Sequence, residues 1–415
     1  ESRGLGDVYK RQQMNLKNFV AVGVTAFAAL ALCSCGGGGE RKADEVLPIM
    51  SWYSIPAQDA SLERYQELAE CGFNINFSHL YTLKDLQTSL DLAGQAGVKV
   101  MATCVELETA TDSAVAAIKD HPALYGYFLR DEPLPAAFPM LAEWAERIWK
   151  ADGGEHPLYL NLLPSFVDSV ALTCNYREYV RRFISEVKLP MVSFDFYPVT
   201  FNGITKDYWY DNLQIVHEES EAAGLPFWAF ALSTAHDPYP LPTMASLRLE
   251  LYTALAYGAQ GLQYFTYWNP GTETWNFHEA PINQDKQRSE AYYLVQQMNK
   301  ELQARAYVFL NSKVVSIAHV GDDMYKGCKR MEDLPPHVVS LSTGSAGAVV
   351  SLLEKGSWNY LVVVSRTLDA PTDLNVEFGS KAWTIDREGN AVKLAKGPNT
   401  FSIEPGDVAI FKFRK

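Results

Sequence analysis

Positive charge is what this chain is short of. Its 36 Lys and Arg stand against 49 Asp and Glu, a formal net charge of -13. A nucleic-acid partner would call for a basic face, so no nucleic acid is expected. Cysteine is scarce as well. Six occur in 415 residues, with no Cys-x-x-Cys and no zinc-like spacing, so neither a disulfide framework nor a metal is expected. Cys104 sits in an apolar run and reads as a small buried residue. No glycine-rich phosphate loop follows the first apolar run, which removes the main sign of a doubly wound nucleotide fold; no cofactor is expected. The apolar run Phe19 to Leu32 is too short to span a membrane comfortably.

Apolar and aromatic residues are abundant. Hydrophobic residues make up 47% and charged residues 20%, which suits a packed globular core. Aromatic content is 12%, with 9 Trp and 22 Tyr. Sugar sites draw on such residues, because the C–H face of a pyranose stacks on a ring.

From Leu47 the sequence alternates apolar runs with amphipathic stretches. The expected strands are Leu47–Trp52, Phe73–Phe77, Val98–Val105, Leu124–Leu129, Pro157–Leu162, Met191–Phe196, Phe227–Leu232 and Gly261–Thr266. They recur about every thirty residues, the length of one βα unit. Between them, Leu141, Trp144, Ala145 and Ile148 share one helical face, as do Leu86, Leu90 and Ala93. The reading is a (β/α)₈ TIM barrel over 47–309. A helix is expected from Ser289 to Ala306. Short alternating strands then follow, among them Ala348–Leu353, Asn359–Val364, Leu374–Phe378 and Val408–Phe413, with turns at Glu388-Gly389-Asn390 and Pro405-Gly406-Asp407. Residues 310–415 read as a small antiparallel β-sandwich.

In such a barrel the residues just past each strand form the active face. They include Trp52 and Tyr53, Ser78 and His79, Glu106 and Glu108, Asp131 and Glu132, Asn161, Asp195 and Tyr197, Ser233 and His236, and Tyr267, Trp268 and Asn269. Aromatic rings, amides and carboxylates in this mixture suit a neutral polyhydroxylated ligand, hence a carbohydrate partner. Trp52, Trp228 and Trp268 are the expected stacking residues; each is equally at home in a core.

The stretch Tyr125-Gly-Tyr-Phe-Leu-Arg-Asp131-Glu132-Pro133 resembles the fourth strand of the retaining clan A glycoside hydrolases, where Asn-Glu-Pro is common. Ser193-Phe-Asp-Phe-Tyr-Pro198 resembles the sixth strand of β-galactosidase-type barrels. Ala254 to Trp268 resembles their seventh helix and eighth strand. The resemblance implies glycoside hydrolysis with Glu132 as acid/base. Asp131 stands where those enzymes have Asn, which donates to the sugar 2-hydroxyl; an ionised Asp only accepts. Hydrolysis needs a second carboxyl group. The resemblance places it after the seventh strand, yet Phe227-Trp-Ala-Phe-Ala-Leu-Ser-Thr-Ala-His236 holds no Glu. Asp195, Glu273 and Asp131 are the substitutes. Asp131 would serve by orienting a substrate 2-acetamido group, as adjacent Asp-Glu pairs do in substrate-assisted enzymes. Without a second carboxylate, the alternative is a non-catalytic glycan-binding lipoprotein on a degenerate barrel.

The N-terminal region reads as an address. Glu1 to Gln13 looks like translated adapter sequence and is expected to be non-native. Met14 to Cys35 carries Lys17, the apolar run and Leu32-Cys33-Ser34-Cys35. This resembles the bacterial lipoprotein signal, which implies a lipid on Cys35 and a membrane as partner. Gly36 is not the Asp that retains lipoproteins in the inner membrane, so the resemblance implies the outer membrane, at the cell surface or periplasmic face. Residues 36–46, beginning Gly36 to Gly39, read as a flexible tether. Cys35→Ala should move the protein from the membrane fraction to the soluble one. Equal membrane retention of variant and parent would refute the anchor.

Overall fold

The computed structural model describes residues 46–415. The expected leader, the signal with Cys35, and the tether as far as residue 45 lie outside the described residues. Eight parallel strands come first. They are β1 Ile49–Trp52, β2 Ile75–Asn76, β3 Lys99–Ala102, β4 Leu124–Asp131, β5 Leu158–Asn161, β6 Val192–Phe194, β7 Phe227–Leu232 and β8 Gly261–Phe265. Their bonded order is β5-β4-β3-β2-β1-β8-β7-β6, and a parallel bridge from Leu162 to Phe194 joins β5 to β6. The sheet thus closes into the (β/α)₈ barrel that the sequence implies.

Both faces of these strands are covered, so they read as unbroken apolar runs. Every residue of β7 is buried. Trp52, Phe77, Phe128, Phe230 and Phe265 converge inside the barrel, Trp52 lying 5.0–6.4 Å by ring centroid from the other four. Helices wrap the outside, and polar residues start several of them. The Ser61, Thr82 and Ser289 side chains accept from the first-turn amides of Leu62–Glu70, Leu83–Gln95 and Glu290–Phe309.

Six of the eight strands are shorter than expected, and two of them, β2 and β3, for a visible local reason. In β2 the Asn74 side chain accepts from Ile49 N–H at 2.8 Å and donates to Leu47 O at 2.7 Å, replacing part of the ladder. Strand β3 stops at Ala102 because Cys104 becomes the N-cap of a short helix, Val105–Thr109. Glu106 and Glu108 therefore lie on that helix rather than at a strand end, and the Glu106 carboxylate accepts from Leu83 N–H at 3.0 Å.

Antiparallel strands follow: β9 Lys313–Val320, β10 Val338–Ser342, β11 Ala348–Lys355, β12 Trp358–Ser365, β13 Thr372–Phe378, β14 Ala382–Ile385, β15 Ala391–Lys393, β16 Asn399–Ile403 and β17 Val408–Arg414. One sheet runs β9-β11-β12-β17-β14-β15 and the other β10-β13-β16. Alternation divides the larger sheet. Val349, Leu353, Val362, Val364 and Ile410 join the barrel's core, while Val350, Leu352, Leu361, Val363 and Phe411 pack within the sandwich.

Two turns press this sandwich onto the barrel helices. A Cβ on Gly389 would collide with Ala304 O, and one on Gly406 with Ala245 O; both glycines also have positive φ. Beside Gly406, buried Asp407 pairs with Arg387 at 2.5 Å and with Arg248 of helix Met244–Ala256 at 3.4 Å. Arg248 also pairs with Glu301 at 2.7 Å. Breaking one partner of such a buried group leaves a charge uncompensated. Asp407→Ala should cost about 3 kcal/mol in urea unfolding. A loss under about 1 kcal/mol would mark the pair as no more than a surface-type contact.

Candidate active site

Three carboxyl groups meet at the C-terminal end of the barrel. Asp131 ends β4, Glu132 follows it, and Asp195 follows β6. Consecutive side chains of a strand point to opposite faces. Glu132 departs from that rule by adopting φ 45°, which costs a non-glycine residue roughly 1–2 kcal/mol. Its N–H donates to Asn161 O at 2.9 Å, and the β4–β5 register shifts between Phe128 and Asp131. The chain is thereby turned so that Glu132 feels the charges of both Asp131 and Asp195.

Asn161, at the end of β5, holds the cluster from below. Its Nδ2 donates to Asp195 Oδ1 at 2.8 Å and to Asp131 Oδ1 at 3.2 Å. Its own Oδ1 accepts from Ser193 Oγ at 3.0 Å, which accepts from Gln263 Nε2 at 2.8 Å. Tyr159 donates to Gln263 Oε1. Every member of this chain is buried inside the barrel.

Burial pushes all three carboxyl groups above the usual range. They nevertheless keep partial contact with solvent, as groups at the bottom of an open cleft do. Asp195 rises least, because Asn161 and a backbone N–H donate to it. Glu132 rises most: burial comes first, then repulsion from Asp195 and Asp131, with no donor to offset them. Donors ease the two aspartates and leave Glu132 without one, which drives the groups apart in the sense that acid–base chemistry needs.

Aromatic groups enclose the cluster. Tyr197 stacks on Phe265 at 5.9 Å and meets Tyr239 edge-on at 5.7 Å. Burial, then Asp195 and Asp131, push the Tyr197 hydroxyl well up. Burial and Asp195 push Tyr239 up to about 12. Tyr179 donates to Pro133 O at 2.8 Å, fixing the residue after Glu132. His79 contacts Trp52 at 5.0 Å and Tyr53 at 5.4 Å, and burial lowers it to about 4, so it is neutral at pH 7.

Not every expected residue is here. Trp228 is near the start of β7, paired with Gly261 across the ladder; a Cβ on Gly261 would strike its indole. It belongs to the barrel's lower core and cannot stack on a ligand at the mouth. Tyr267 faces outward against Phe73 at 5.5 Å and is fully buried. Trp268 is 5% exposed, with the Arg64 guanidinium over its ring at 5.2 Å. Glu273 is exposed in the loop after β8, and its charge is not among those acting on Glu132. Trp52 is 2% exposed and forms the aromatic floor rather than an open platform. Tyr239 and Tyr179 were not anticipated. A Tyr-Pro-rich loop and a helix interior carry them, and nothing in their local sequence points at a cleft.

The end of β7 is filled by hydroxyls. Ser233 Oγ donates to Thr266 O at 2.7 Å, and Thr234 Oγ1 lies 2.7 Å from Thr266 Oγ1. Among the described residues no group of His, Cys, Asp and Glu is arranged to hold a metal ion, and no helix is long and apolar enough to cross a membrane.

No protein-family model matches the chain, and no curated protein matches it. Solved structures share its fold. A catalytic mutant of a GH42 β-galactosidase from G. stearothermophilus aligns over 89% of this chain and 98% of its own, at 9% identity and a TM-score of 0.56. A GH27 β-L-arabinopyranosidase from Geobacillus stearothermophilus aligns over 89% and 97%, at 10% identity and a TM-score of 0.51. The chain spans only 60% and 59% of the β-galactosidases of Marinomonas ef1 and Halorubrum lacusprofundi, with TM-scores of 0.47. At these identities the likeness is one of fold alone.

The raised carboxyls have a thermodynamic consequence. A folded acid with a raised pKa binds protons that the unfolded chain has released, so stability falls as pH rises from the unfolded value through the folded one. Glu132→Gln removes the largest such contribution. It should raise the melting temperature at pH 8, on the order of 1–3 °C, and do so less at pH 4. Thermal scans showing the gain larger at pH 4 would contradict a raised Glu132.

Proposed function

We propose that this chain is a glycoside hydrolase acting on an external poly- or oligosaccharide, with Glu132 as the proton donor. The observation that carries the reading is the cluster itself: Glu132, raised by burial and by both aspartates with no donor to it, beside the amide-held Asp195 in one aromatic cleft. Expelling a sugar alkoxide at neutral pH requires a positioned acid. Glu132 supplies that proton. Asp195 is the carboxylate that attacks the anomeric carbon or activates water, since Ser233 and Thr234, which follow β7, are hydroxyls bonded to Thr266, and the buried Glu250 carboxylate there is engaged by Leu232 N–H. Asp131 binds a substrate hydroxyl or amide group beside it. The neutral His79 and the Tyr197 hydroxyl offer hydrogen bonds without adding charge. The proposal includes a lipid on Cys35 that holds the enzyme on the outer membrane, where an external glycan is within reach.

A second reading keeps the glycan and drops the chemistry. The lack of a Glu on the chain at the end of β7 favours a binding protein on a degenerate barrel. Turnover separates the two. Glu132→Gln keeps the shape and removes the proton, so kcat on an unactivated glycoside should fall about 10²–10⁴-fold with binding nearly intact. An aryl glycoside with a very acidic leaving group should suffer less. Parent-level turnover of the natural glycan by this variant would rule Glu132 out as the acid.

A further inference from the structure

Exposed apolar side chains are ordinary when scattered. Around the mouth of this barrel they are not scattered. The loops after four successive strands each carry one: Phe166 after β5, Phe201 after β6, Leu241 after β7 and Trp275 after β8, each 44–64% exposed. Among the described residues, Phe166 and Phe201 are the two exposed phenylalanines.

Two of these rings connect to the cleft through other rings. Phe166 meets Phe196, the neighbour of Asp195, edge-on at 5.2 Å. Trp275 lies 6.5 Å from His236, which is 4.9 Å from Tyr239, itself 5.7 Å from Tyr197. An aromatic wall therefore runs from open solvent to the carboxyl cluster on the β8 side, with a shorter one on the β5 side. Since β6 and β7 lie between β5 and β8 in the closed sheet, Phe166 and Trp275 flank Asp195 and Tyr197. Between them, Phe201 N–H donates to Pro238 O at 3.0 Å and ties the loop after β6 to the loop bearing Tyr239.

We infer that Phe166 and Trp275 are stacking platforms for sugar units outside the carboxyl cluster, so that the ligand is a glycan chain several units long lying across the mouth. This rests on the carbohydrate reading of the site. Separated flat rings suit a polymer that presents one C–H face per unit. A lipid or protein partner would call for a continuous apolar patch. The rings lead toward ionisable carboxyls and neutral hydrogen-bonding groups, which fits a neutral polyhydroxylated chain. A site for a single terminal sugar would have no use for rings on the far side of β6 and β7.

Affinity electrophoresis tests this without any need for turnover. Native gels would each contain one soluble polysaccharide: a galactan, an arabinoxylan, a mixed-linkage β-glucan or a galactomannan. The parent should be retarded in at least one of them, and Glu132→Gln should be retarded as well. Phe166→Ala with Trp275→Ala should weaken that retardation about tenfold or more in apparent affinity. Phe166→Tyr with Trp275→Phe, which keeps a ring at each place, should restore it. Both sites are exposed, and matching circular dichroism melts would establish that the variants fold. The platform is overturned if the parent is retarded by none of the four, or if the folded alanine variant is retarded as strongly as the parent. Retention without turnover would refute the hydrolase reading alone. Turnover of a short glycoside without retention would refute the platform alone.

Discussion

Asn161 donates to two carboxyl groups that come from strands on either side of it, and the rest of the site follows from that arrangement. An amide nitrogen has two hydrogens, and here both are taken. The carbonyl end is fixed by Ser193, and Ser193 by Gln263, so the amide cannot flip. Asp131 and Asp195 are thereby held near each other despite their charge. The cost of ionising three acids in so little space then falls on the one without a donor. Glu132 is pushed up furthest because its neighbours have been supplied with hydrogen bonds and it has not.

Much of the scaffold was legible because a barrel strand is covered on both faces. Phe227–Leu232 reads the same in sequence and in structure, an apolar run between breakers. The rule that chemistry sits just past a strand led to Asp131, Glu132, Asn161, Asp195 and Tyr197, which do lie together. The same rule misdirected attention to Tyr267 and Trp268. Alternation would have put Phe265 and Tyr267 on one face, but it is broken where β8 ends, so Phe265 enters the cleft while Tyr267 turns toward Phe73. Depth along a strand was equally invisible, and Trp228 belongs to the opposite end of the barrel. The positive φ of Glu132 has no signature in Asp-Glu-Pro. It is set by the register shift against β5, a tertiary effect.

Fold and chemistry carry separate weight here. A barrel at 9–10% identity to solved glycosidases says how the backbone runs. It does not transfer a catalytic residue, and the end of β7, where Ser233 and Thr234 bond to Thr266, shows why. What points to acid–base chemistry is this chain's own carboxyls and the hydrogen bonds that Asn161 gives to Asp131 and Asp195 but not to Glu132.

The two glycine turns of the sandwich carry a mechanical consequence. At Gly389 and Gly406, backbone lies flush on helix backbone, with no side chain between to roll or rotate as a bearing. A side chain at either position would act as a wedge, prising sheet from helix, so the seam between barrel and sandwich is only as tight as these two missing Cβ atoms allow.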